Sequence, residues 1–142
     1  MAMKIRVLTV TKKAKMKDLA DKISQKADCY KPVDIIPPAY TCDRERLVIV
    51  VLTAAKIMSD DFRRFIQDLS REKIQNIAFI VDGTKEAMAP ILDSVRTSDT
   101  NLIDNILYID GGSSLPFFGG KLKPEEEEAA LTWCEQIVET LK

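Results

Sequence analysis

Three short stretches of the chain gather hydroxyls, ammonium groups and a carboxylate. Thr9 and Thr11 stand just before Lys12, Lys13 and Lys15. Thr53 and Ala54 close one long apolar run, and Asp82, Gly83 and Thr84 close another. Hydroxyls and lysines at the start of a helix suit an anion, because a helix N-terminus offers unpaired N–H groups and partial positive charge. The lysine-rich turn reads either as a site for a phosphate-bearing small molecule or as a solvated basic surface. Asp82-Gly83-Thr84 reads either as contacts to a ring or ribose, or as a tight strand-to-helix turn capped by Thr84.

Other groups carry less. Gly111-Gly112-Ser113-Ser114 is an anion cradle or a plain loop, and no helix follows it directly. Phe117 and Phe118 are adjacent in a loop, where one of them is available to a protein partner. Trp133 keeps helical spacing with Ala130 and Ile137 and reads as core. Glu125 to Glu128 fan out around a helix axis, so they read as a solvated, dipole-favoured helix start. No catalytic residue and no metal ligand set emerges. Cys29, Cys42 and Cys134 form no C-x-x-C pair and read as reduced structural thiols.

Composition removes several function classes. The chain has no histidine, which excludes histidine-dependent hydrolases and the usual zinc enzymes. Its 5 glycines are Gly83, Gly111, Gly112, Gly119 and Gly120. None falls early enough for a dinucleotide fingerprint or a Walker loop. A net charge of −1 argues against nucleic acid as a partner. No apolar run approaches the roughly 18–20 residues that span a bilayer, so no membrane role is expected. Met1 to Arg6 leads straight into a strand-like run without a signal-peptide core, so a cytoplasmic location is expected.

The elements that must position these residues follow from periodicity. Lys4 to Val10 predicts a strand, and Met16, Leu19, Ala20 and Ile23 predict a helix over about Met16–Gln25. Ala27 to Ile36 predicts a weak strand broken by Pro32. Arg46–Leu52 and Asn76–Val81 are apolar without alternation after their first residues, as in parallel strands covered on both faces. Ser59-Asp60-Asp61 opens a helix with Phe62, Phe65, Ile66 and Leu69 inward. Met88, Ile91, Leu92 and Val95 form another stripe, which Pro90 either starts near Ala89 or distorts in its first turn. Asn105–Ile109 predicts a last strand, and Pro124 opens a final helix with Ala130, Trp133 or Cys134, Ile137 and Leu141 inward. Strands alternating with helices predict an α/β domain with a parallel sheet, spanning 1–142 as one unit.

The order of these pieces resembles the flavodoxin-like family. Thr11 to Ile23 lies where that family carries its phosphate loop and first helix, and Asp61 to Leu69 resembles its third helix. Phe79-Ile80-Val81-Asp82-Gly83-Thr84 resembles its fourth strand and the glycine–threonine after it. Phe117 to Leu122 and the Trp133 helix resemble its C-terminal part. The resemblance implies a three-layer fold with a five-stranded parallel sheet in the order 2-1-3-4-5. It also implies an FMN site built from Thr9, Thr11, Lys12, Lys13, Lys15, Thr53, Ala54, Asp82, Gly83 and Thr84.

The chain departs from that family at the phosphate loop. Lys12, Lys13, Ala14, Lys15 and Met16 stand where hydroxyls, a glycine and an asparagine are usual. Thr53 to Ile57 and Asp82 to Lys85 hold none of the aromatics that commonly flank a flavin. The favoured expectation is a module that has lost ordinary FMN binding and serves in binding or interaction, with no cofactor. The alternative is an FMN-binding flavoprotein in electron transfer or reduction, with lysines around the phosphate. A response-regulator receiver is excluded, because Thr9-Val10-Thr11 and Leu52-Thr53-Ala54 lack its acidic residues.

Overall fold

The computed structural model describes residues 4–34, 44–54, 60–109 and 124–141. The elements are β1 (Ile5–Val10), α1 (Ala14–Lys26), β2 (Val33–Asp34), β3 (Glu45–Thr53), α2 (Asp60–Gln67), β4 (Ile74–Asp82), α3 (Lys85–Thr97), β5 (Asn101–Leu102), β6 (Leu107–Ile109) and α4 (Pro124–Thr140). Every strand pairing is parallel.

Side chains of the central strands alternate between two buried faces. Val48, Val50 and Leu52 of β3 join Phe79 and Val81 of β4 against Phe62 and Ile66 of α2 and Met88 and Val95 of α3. Leu47, Ile49 and Val51 join Val7, Ala78 and Ile80 against Met16 and Ile23 of α1 and Trp133 and Ile137 of α4. Burial on both faces explains the absence of polar alternation in these strands. The second layer is also tied electrostatically. Lys22 of α1 bonds Glu127 of α4 at 2.8 Å and Asp18 at 3.3 Å. Its ammonium is held above the ordinary lysine value, first by the Glu127 hydrogen bond.

The sheet path is β2-β1-β3-β4-β5, and β6 also pairs with β4. β3 lines β4 from Ile74 to Asp82, so β5 and β6 must share the opposite edge. The expected five-strand sheet in the order 2-1-3-4-5 is corrected accordingly: its last position is held by two short segments. The predicted strand Asn105–Ile109 begins only at Leu107. Asn105 and Ile106 lie outside the strand, and Trp133 Nε1 donates to the Asn105 carbonyl at 2.6 Å.

Two further boundaries differ from expectation by more than a couple of residues. α3 starts at Lys85, capped by Thr84, and runs through Pro90. The missing N–H of Pro90 would have met the Glu86 carbonyl, and both residues are exposed, so water can serve that carbonyl. β2 keeps only Val33–Asp34 of the predicted Ala27–Ile36. α1 consumes the start of that segment in a Schellman end: Cys29 N–H donates to Ser24 O and Asp28 N–H to Gln25 O. Ile35 and Ile36 lie outside the described residues, as do Ser59, Cys42, Gly111 to Gly120, Ser113, Ser114, Phe117 and Phe118.

Asp28 occupies the left-handed position of that helix end, with φ 55°. Glycine is the usual residue there because it has no Cβ to clash. Asp28→Gly is expected to raise stability by about 0.5–1 kcal/mol. A urea unfolding midpoint measures it, and an unchanged or lower midpoint would show that the aspartate is not strained.

Candidate functional site

The apolar runs of β1, β3 and β4 each end in a polar residue at the same edge of the sheet. Register makes this so. Val10 pairs with Leu52, which sets Thr11 beside Thr53, and Thr53 pairs with Asp82. Thr11, Thr53 and Asp82 are all buried. A carboxylate in such a place needs donors, because an unpaired buried charge is very costly.

The donors form a closed ring. The Thr53 hydroxyl donates to Asp82 Oδ2 at 3.2 Å. Thr11 and Thr53 hydroxyl oxygens lie 2.6 Å apart. A hydroxyl has one proton, and that of Thr53 points to Asp82, so Thr11 donates and Thr53 accepts. Thr11 Oγ1 in turn accepts from the Lys13 backbone N–H at 3.1 Å. The Lys13 ammonium completes the circuit on Asp82 Oδ2 at 2.7 Å. The Asp82 side chain is 2% exposed and that of Lys13 is 40% exposed, so the ring opens to solvent on the lysine side. Each donor polarises the next, and the carboxylate ends the chain as a pure acceptor.

The remaining predicted residues sit around or away from this ring. Gly83 follows Asp82 where a Cβ would come within 2.5 Å of the Ala54 Cβ, so this glycine permits β4 and the end of β3 to approach. Thr84 is drawn into capping α3, its hydroxyl accepting from Ala87 N–H at 3.2 Å. Thr9 does not join Thr11. It is buried one turn of the pleat earlier on β1 and lines a small cavity of about 230 Å³ with Lys17 and Asp21 of α1 and with Pro32. Lys12 is exposed and Lys15 is half-buried in the first turn of α1. That turn has no acidic residue, and no side chain caps it.

The site as expected from the chain therefore divides. Thr11, Lys13, Thr53 and Asp82 come together, with Ala54 and Gly83 packed at their edge. Thr9, Lys12, Lys15 and Thr84 do not enter the ring. Mutual bonding of Thr11, Thr53 and Asp82 is the feature that sequence reading missed. Its signal is the polar residue closing each apolar run: Val10-Thr11, Leu52-Thr53 and Val81-Asp82.

Among the described residues, no group of three histidine, cysteine, aspartate or glutamate side chains is placed to hold a metal. No helix among them is long and apolar enough to cross a membrane. Burial pushes the Cys29 and Cys134 thiols up to about 11, which disfavours the thiolate and suits a packing role. Comparison with family models, curated proteins and solved structures gives no significant match.

Breaking the ring at its centre strands both neighbours. Thr53→Val removes the acceptor of Thr11 and one donor of Asp82, and is expected to cost about 1–3 kcal/mol. Thr11→Val together with Thr53→Val is expected to cost clearly less than the two single changes summed, because the second change removes a group already stranded. Urea unfolding of the four proteins measures this coupling. Strict additivity would mean that the hydroxyls act separately.

Proposed function

We propose that the chain is a flavodoxin-like α/β domain that has lost ordinary FMN binding and serves as a binding or interaction module. The observation that carries this reading is the closed ring at Lys13, Thr11, Thr53 and Asp82. A phosphate held at the start of α1 needs hydroxyl protons and positive charge. Here both threonine protons are directed inward, and the Lys13 ammonium already has a carboxylate. Asp82 adds a negative charge where an incoming phosphate would be repelled.

Local backbone supports the same reading. Ala14 opens α1 in ordinary helical geometry, where a phosphate loop would use glycine to close around the anion. Neither Thr53-Ala54 nor the Asp82 to Lys85 turn supplies an aromatic to stack on a flavin ring. One fold carries many activities, so the site and not the fold decides this reading.

A second reading keeps FMN, with the phosphate drawn to the first turn of α1. Lys12 is exposed there, and no acid or side-chain cap opposes an anion. Titration with FMN separates the two readings, followed by flavin fluorescence and by the emission of the single tryptophan, Trp133. The module reading predicts no saturable change up to about 100 µM FMN, a range that reveals micromolar affinity. Stoichiometric flavin in the purified protein, or saturation in that titration, contradicts it and establishes the flavoprotein.

A further inference from the structure

We propose that Asp82 is a resident anion: it holds the donors of the ring as an external oxyanion would, and so keeps this site closed to small oxyanions. The proposal rests on the reading of the chain as a module without FMN, and it names the regulation of that same site.

The geometry of one atom carries it. Asp82 Oδ2 receives both the Lys13 ammonium, at 2.7 Å, and the Thr53 hydroxyl, at 3.2 Å. Carboxylate and phosphate oxygens accept the same charged and hydroxyl donors, so this oxygen stands where an oxygen of a bound oxyanion would stand. The second threonine, Thr11, orients the first. The carboxylate is fixed by its strand: Asp82 pairs with Thr53 in the β3–β4 register. The lysine is the partner with access to water, being 40% exposed against 2% for the aspartate. An anion arriving from solvent therefore meets Lys13 first and must compete with a carboxylate that is already in place. An attached competitor has a high effective concentration, so a weak external ion loses.

Removing the charge while keeping the shape should open the site. Asp82→Asn retains a carbonyl oxygen that can accept from Thr53, but it no longer neutralises Lys13. Inorganic phosphate is the probe, titrated into the full chain and followed through the backbone amide NMR signals of Lys13, Thr53 and residue 82. The wild type is expected to show no saturable shifts. Asp82→Asn is expected to bind phosphate at least about tenfold more tightly, as a freed ammonium facing a charged acceptor allows. Adding Lys13→Gln to Asp82→Asn is expected to abolish the gain.

Three results overturn the proposal: saturable phosphate shifts in the wild type, a folded Asp82→Asn protein without a gain, or a gain that survives Lys13→Gln. Where Asp82→Asn fails to fold, Asp82→Ser, which keeps a hydroxyl oxygen and removes the charge, is put to the same phosphate titration with the same expected gain and the same overturning results. FMN binding by the wild type would overturn the module reading. A wild type silent to both FMN and phosphate, with no gain in folded Asp82→Asn, would overturn the resident anion alone.

Discussion

A carboxylate buried at the end of a central strand must be met by donors or lose its charge. Asp82 is met from two sides, by an ammonium that reaches in from solvent and by a hydroxyl on the neighbouring strand. Much of the local architecture follows from that demand. Lys13 must stand at the entry to α1 to reach the carboxylate, which fixes the chain between β1 and its helix. Thr53 must spend its only proton on Asp82, which forces Thr11 to donate. Thr11 is then left to accept from the Lys13 backbone, so the circuit closes on the residue where it began.

The ring also joins the elements that the hydrophobic layers only stack. Apolar burial places α1 and α4 on one face and α2 and α3 on the other, without direction or register. Hydrogen bonds between Thr11, Thr53 and Asp82 are specific to one register of β1, β3 and β4. A slip of one residue would turn these side chains to the opposite face. Gly83 contributes at the same place, by allowing its backbone to approach Ala54 closely. A scarce residue is thus used where a side chain would not fit, while Asp28 takes a left-handed position elsewhere without glycine.

The layered architecture was readable because it depends on local pattern. The unbroken apolar runs of β3 and β4 announced strands buried on both faces, and Thr84 and Pro124 marked helix starts by their own chemistry. What depended on distant partners was not readable. The last edge position is shared by two short segments, and between them Trp133 donates to the Asn105 carbonyl, a contact spanning 28 residues. Pro90 marked either a helix start near Ala89 or a distorted first turn, yet α3 starts earlier at the Thr84 cap and its buried Met88, Leu92 and Val95 carry it past the proline. The separate candidate residues Thr11, Thr53 and Asp82 were visible. Their mutual bonding was not, because it spans 42 and 29 residues and appears only once the register is set.

The central claim is that both threonine protons are directed inward around Asp82. Hydroxyl protons normally exchange with water too fast to observe, whereas buried and bonded ones persist. Proton NMR of the wild type at low temperature tests this directly. Distinct, slowly exchanging hydroxyl signals are expected for Thr11 and Thr53, with a cross-peak between them and one from Thr11 to the Lys13 amide. Hydroxyl exchange at both residues as rapid as at exposed threonines would contradict the claim.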